Sequence, residues 1–280
     1  MKRICIILKH RILNNSDGLI RDYIMEFIQK FKKVGRGFRG RIPLTFLLST
    51  LLAGCATYYN PVTEKTEYTI YTEKDEIDMG IAIDKKIQRE NKIVETPDCI
   101  KEIVEKVGKN SDRPSLNYTV RVIENKEINA FAIPGGFIYL YTGLIEKIES
   151  NDELANIIGH EMGHICARDG INQLQKTLLY SISTSILLRD RSAAIQQAVD
   201  TGFTLTMLKY SREQELRADK LGVTYAYHSG YNPEGMISFF RKLQEIEKKS
   251  PSLKITFLAS HPDIKDRIDN VGKVIQDLKN

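Results

Sequence analysis

From Thr72 onward the apolar positions fall mostly at helical spacing, interrupted by one short region of strand-like pattern. Thr72 with Asp75 three residues on predicts a capping box, opening an amphipathic helix to about Glu90. Thr96-Pro97 opens a second, with Ile100, Ile103, Val104 and Val107 on one face. Between Leu116 and Ile123 the period drops to two, with Tyr118, Val120 and Val122 sharing a side, which predicts a strand. Asn129–Ile133 and Phe137–Tyr141 are apolar runs flanking Pro134-Gly135-Gly136, and read as two strands around a tight turn. Ser150 with Glu153 predicts another capping box, and a helix from Asn151 to about Arg168 that Gly170 stops. Residues 171–206 are helical in pattern. Their apolar patch at Leu178, Leu179, Ile182, Ile186, Leu187 and Leu188 is too short to span a bilayer and reads as core or as a flap. A further helix ends at Gly230. Asn232-Pro233 caps another, whose tail from Lys242 to Lys249 reads as a solvated charged face. The sum is an α+β chain, mainly α-helical, with a small sheet.

Residues 1–54 read differently. Six basic and no acidic residues lie between Lys30 and Arg41, followed by an apolar run from Ile42 to Ala53. A membrane-spanning helix needs about 20 apolar residues, so the pattern is that of a signal peptide. It ends in Leu52-Ala53-Gly54-Cys55, which resembles the lipobox of bacterial lipoproteins and implies cleavage before Cys55 and acylation of that cysteine. Met25 is a second candidate start, because residues 1–24 add nothing a signal peptide needs. The expected organisation is a leader at 1–54, a lipid-anchored tether at 55–71 and a catalytic domain at 72–280. Ala56 is not an acidic retention signal, which favours the periplasmic face of an outer membrane.

Removing the leader changes the electrostatics. It holds 11 of the 41 Lys/Arg and 3 of the 36 Asp/Glu, leaving 30 basic and 33 acidic residues. The remainder is slightly acidic, and no basic face argues for nucleic acid. Cys99 and Cys166 remain after Cys5 and Cys55 are set aside. Their spacing does not show that they approach each other, and Cys166 also suits a small buried apolar position.

The chemistry centres on His160-Glu161-Met162-Gly163-His164. On a helix, residues four apart share a face, so both imidazoles can address one metal ion with Glu161 beside them. The surrounding helix is apolar at Leu154, Ile157, Ile158, Met162 and Ile165, where bare polar groups would be costly to bury; zinc would compensate them. A catalytic zinc takes three protein ligands and leaves a position open. Further on, Glu215 and Asp219 lie one turn apart, Glu215 able to be the third ligand and Asp219 able to fix the tautomer of a liganding histidine. Such a zinc activates water, with Glu161 as base, for hydrolysis of a peptide bond. A strand edge at Asn129, Ala130, Phe131 and Ala132 could hold an extended peptide by its main chain, although the same residues also suit a core hairpin. His261 in a loop is a candidate metal or transition-state contact, and Arg267 a candidate for the oxyanion.

These motifs resemble those of the zinc metallopeptidases that include HtpX and the CAAX prenyl endopeptidases, in their bacterial lipoprotein branch. The resemblance runs from Cys55 to about Ile268. It rests on Asn60-Pro61-Val62-Thr63, Asn129–Ala132 with Pro134-Gly135-Gly136, the His-Glu-x-x-His stretch, Ser211-Arg212 through Glu215 to Asp219, and Ser260-His261-Pro262 with Arg267. It implies a zincin-like, gluzincin fold with the small sheet next to the active-site helix. It also implies one Zn2+ per chain on His160, His164 and Glu215, Glu161 as base, and unfolded or misassembled envelope proteins as substrates. An envelope chaperone or assembly factor with a mostly latent zinc site is the alternative. Glu64 stands where glycine is usual, Arg217 where glutamate is common and Asp169 where histidine is common.

Overall fold

The computed structural model describes residues 56–60, 62–69, 71–176, 210–249, 255–261 and 264–280. The leader with Cys55, and the apolar patch from Leu178 to Leu188, lie outside the described residues. Residues 55–280 form one compact unit. No helix among the described residues is long and apolar enough to cross a membrane.

The unit opens with an antiparallel hairpin, β1 (Ala56–Asn60) and β2 (Lys65–Thr69). The hairpin falls within the stretch expected as a tether. Asn60 is fully buried, its Oδ1 accepts from the Val62 N–H at 3.0 Å, and its Nδ2 donates to the Ala167 carbonyl at 3.1 Å. Glu64, in the turn between β1 and β2, has φ 53, a left-handed conformation that glycine adopts most readily.

Helix α1 (Glu73–Glu90) carries the expected reciprocal cap between Thr72 and Asp75. Strand β3 (Ile93–Val94) and α2 (Asp98–Lys109) follow, then β4 (Thr119–Ile123), β5 (Ala130–Ile133) and β6 (Phe137–Tyr141). The sheet order is β3-β4-β6-β5, with β4 and β6 parallel and the other pairs antiparallel. Gly135 and Gly136, at φ 81 and 93, make the β5–β6 turn. This leaves β5 as a sheet edge. Its four side chains are all buried.

After the short α3 (Thr142–Ile145) comes α4 (Asn151–Cys166), in which every residue from Glu153 to Cys166 is buried. Two sequence expectations fail at its ends. Ser150 does accept from the Glu153 N–H, but the Glu153 carboxylate accepts from the Glu149 N–H at 2.9 Å and takes Lys242 at 2.7 Å, so the cap is not a reciprocal box. Lys242 is therefore a partly buried ion-pair partner rather than part of a solvated face. At the other end the helix stops at Cys166, not at Gly170. Arg168 turns the chain with φ 56, and a new helical stretch at 169–176 contains Gly170. Arg168 holds that conformation through Glu76, 2.9 Å from its Nε, and through the Tyr71 carbonyl.

Four more helices follow among the described residues: α5 (Arg212–His228), α6 (Glu234–Lys249), α7 (Thr256–Ser260) and α8 (Ile264–Lys279). Helices α4 and α5 cross closely because small residues meet there. A Cβ on Gly222 would lie 2.4 Å from the His160 nitrogen, and one on Gly159 would lie 2.5 Å from the Gly222 carbonyl oxygen. Backbone contact at this crossing brings the two motif-bearing helices face to face. The hydrophobic core continues through both and into α2, α6 and α8. Cys99 is exposed and Cys166 buried, and neither forms a disulfide.

Candidate active site

His160 and His164 come from α4, Glu215 and Asp219 from α5, His261 from the end of α7 and Arg267 from α8. One donor atom from each of His160, His164, Glu215 and His261 lies within 4.8 Å of the others, and all four residues are buried. His160 Nε2 is 3.2 Å from His164 Nε2 and 3.3 Å from His261 Nδ1. The Glu215 carboxylate is 3.0 Å from His261 Nδ1 and 3.5 Å from His164 Nε2.

Carboxylates orient both motif histidines from behind. His160 Nδ1 donates to Asp219 at 2.9 Å, as the spacing of Glu215 and Asp219 anticipates. His164 Nδ1 donates to Asp169, also at 2.9 Å. Asp169 in turn accepts from Arg217 at 2.6 Å and from Gln214 at 2.8 Å. Tyr210 stacks on the His164 ring with centroids 3.8 Å apart. Sequence reading found neither Asp169 nor Tyr210 in these roles. The one available signal was an acid immediately beyond the motif helix.

Arg267 sits elsewhere than an oxyanion contact would. Its Nε and Nη2 grip Asp219 at 2.7 and 2.6 Å, and Nη1 reaches Glu215 at 3.0 Å and the His261 carbonyl at 3.1 Å. With 1% exposure and its face 4.5 Å from the Phe240 ring, it is a buried counter-ion for two carboxylates that water does not reach.

Burial pulls His160 below its ordinary pKa, against the Asp219 hydrogen bond. Burial also acts to lower His164, but Asp169 and Glu215 outweigh it and push the ring up to about 10. Glu215 and Asp219 stay well below the usual carboxylate range despite burial, held there chiefly by His261 and by Arg267 respectively. Burial raises Tyr210 well above the ordinary phenol value.

The donor set fits a divalent cation. Four carboxylates, on Glu161, Asp169, Glu215 and Asp219, are buried here. Asp219 and Asp169 take the Nδ1 sides of His160 and His164, so the two Nε2 atoms face each other 3.2 Å apart, where a cation between them would be held by both. Two imidazoles and a carboxylate are a zinc donor set. Both oxygens of Glu161 are buried and lack a hydrogen-bond partner, and the nearer is 3.6 Å from His261 Nε2. That is a base with its acceptor sites vacant.

Beside the cluster lies a shallow cleft lined by Ala132, Ile133, Pro134, His164, Ile171 and Tyr210. The β5 edge therefore runs into the site. Asn129, at its start, is buried with Oδ1 unpartnered.

A family model described as peptidase family M48 matches residues 96–275. The mitochondrial metalloendopeptidase OMA1 of Arabidopsis thaliana is 30% identical over 153 residues, covering 54% of this chain and 30% of that protein. Its namesake in Saccharomyces cerevisiae is 24% identical over 253 residues, covering 81% and 73%. The beta-barrel assembly-enhancing protease of Escherichia coli is 32% identical over 152 residues, covering 50% and 31%. The alignments thus span about a third of the Arabidopsis and Escherichia coli relatives.

Proposed function

The chain belongs to peptidase family M48, and on that premise we propose that it is a zinc-dependent endopeptidase in which His160, His164 and Glu215 hold the metal and Glu161 is the general base. The observation that carries this reading is a set of buried imidazole and carboxylate donors within 4.8 Å of one another, next to a glutamate whose two oxygens have no hydrogen-bond partner. When bound, zinc supplies Lewis acidity, lowering the pKa of water to about 7 and polarising a carbonyl. Asp219 keeps the His160 proton on Nδ1 and so presents Nε2 as a lone pair. Glu161 takes a proton from the attacking water and returns it to the departing amine nitrogen. The β5 edge at Asn129–Ala132 would bind the peptide main chain, which aligns a scissile bond without selecting side chains. Arg267 holds Glu215 and Asp219 in register and does not touch the substrate.

The substrates under this reading are unfolded or misassembled envelope proteins. A relative named for β-barrel assembly supports that class. The lipobox-like Leu52-Ala53-Gly54-Cys55 supports anchoring to a bilayer through acylated Cys55, at the periplasmic face of the outer membrane. One observation favours the second reading, a chaperone or assembly factor with a mostly latent site. His261 stands within hydrogen-bond distance of both His160 and Glu215, where it can serve as a fourth ligand and close the open position. Zinc analysis and casein cleavage by the purified full chain and by His261→Ala test both. Bound zinc, with faster cleavage in the variant, is expected. A chain that takes up no zinc contradicts the zinc reading, and a variant with unchanged turnover contradicts gating by His261.

A further inference from the structure

Asp169 stands just beyond α4 and Arg217 on α5, and the two side chains meet at 2.6 Å. Asp169 is 2% exposed, lies outside the His-Glu-x-x-His and Glu-x-x-x-Asp motifs, and spends one oxygen on His164 Nδ1 and the other on Arg217 and Gln214. His160 has a matching arrangement, in which Asp219 takes its Nδ1 proton and Arg267 grips Asp219. Each motif histidine is thus backed by a carboxylate, and each carboxylate by a guanidinium.

We infer that Asp169 is the positioning residue for His164 and that Arg217 and Gln214 hold it in place. The inference rests on the zinc reading above. Asp169 fixes the proton on Nδ1, turns the Nε2 lone pair toward the metal position and makes the ring a better donor. Arg217 reaches across from α5, so it also ties the second histidine to the helix that carries Glu215. Gln214 caps α5 through Ser211 with one end of its amide and holds Asp169 with the other, linking the start of that helix to the same carboxylate.

The test measures zinc affinity by competition with a chelating dye, for the full chain and for Asp169→Ala, Asp169→Asn, Arg217→Ala and the double variant Asp169→Ala/Arg217→Ala. Folding is followed by thermal unfolding. Asp169→Ala is expected to lose about 10- to 100-fold in zinc affinity, the usual effect of removing such a partner. Its KM for a peptide is expected to stay unchanged while kcat falls. Arg217→Ala frees the carboxylate without removing it and is expected to lose less, and the double variant to bind no more weakly than Asp169→Ala, because Arg217 acts through Asp169. Should Asp169→Ala fail to fold, Asp169→Asn decides. Parental affinity in both Asp169 variants, or a double variant whose loss is the sum of the two singles, overturns the inference. A parent chain that binds no zinc overturns the zinc reading and this inference with it.

Discussion

Glu161→Gln is expected to take up zinc as the parent does, to unfold at the same or a slightly higher temperature, and to lose casein cleavage by about 100- to 10,000-fold. The size follows from general-base catalysis, which contributes about that factor. Retention of fold follows from the site. Glu161 is completely buried, yet neither of its oxygens has a hydrogen-bond partner, so the change breaks no hydrogen bond of the scaffold. Glutamine has the same shape and removes a buried charge from a cluster already rich in carboxylates, which relieves repulsion. The metal donors are His160, His164 and Glu215, none of which the change touches. Zinc content, thermal unfolding and cleavage rate measured on one preparation check all three parts. Cleavage at the parental rate would remove Glu161 from the mechanism, and loss of zinc would show that it is a ligand.

Arg267→Met carries the largest expected effect on stability, about 3–5 kcal/mol by denaturant unfolding without zinc, the cost of stripping a buried pair of one partner. The guanidinium is 1% exposed and serves Asp219 through two bonds and Glu215 through a third. Methionine fills similar volume and supplies no charge, so two carboxylates are left buried without their countercharge. For a domain of this size the loss corresponds to roughly 6–20 °C in Tm. Zinc is expected to restore part of it, because the metal supplies positive charge to Glu215 and binds only the folded chain. Arg267→Lys should recover little, since an ammonium cannot match the fork that reaches Asp219 at two atoms. A Met variant as stable as the parent would show that Arg267 is not the counter-ion of this site.

How much of this was legible in the sequence depended on the range of each interaction. The His160–His164 and Glu215–Asp219 spacings are local helical facts, so their shared faces follow from a repeat of 3.6 residues, and the structure brings the two pairs together. The cap at Thr72 is local as well. What failed was set by distant partners. Ser150 and Glu153 have the spacing of a capping box, but Lys242, 89 residues away, claims the Glu153 carboxylate. Gly170 looked like a stop, yet Arg168 makes the turn because Glu76, 92 residues earlier, holds its side chain. Arg267 looked like a transition-state contact because a sequence cannot show that Asp219 and Glu215 would both be buried beside it. Tyr210 was visible only as the residue preceding a helix cap, and its stacking on His164 appears once α4 and α5 cross. The close backbone approach at Gly159 and Gly222, which makes that crossing, had no readable signal beyond two small residues.

The central claim, that a zinc ion on these residues cuts peptide bonds, is tested most directly by following casein cleavage by the purified full chain before stripping with a chelator, after it, and after zinc is returned. Cleavage is expected to vanish with the metal and to recover at one equivalent of zinc per chain. Cleavage that continues at full rate in the stripped protein would contradict the account.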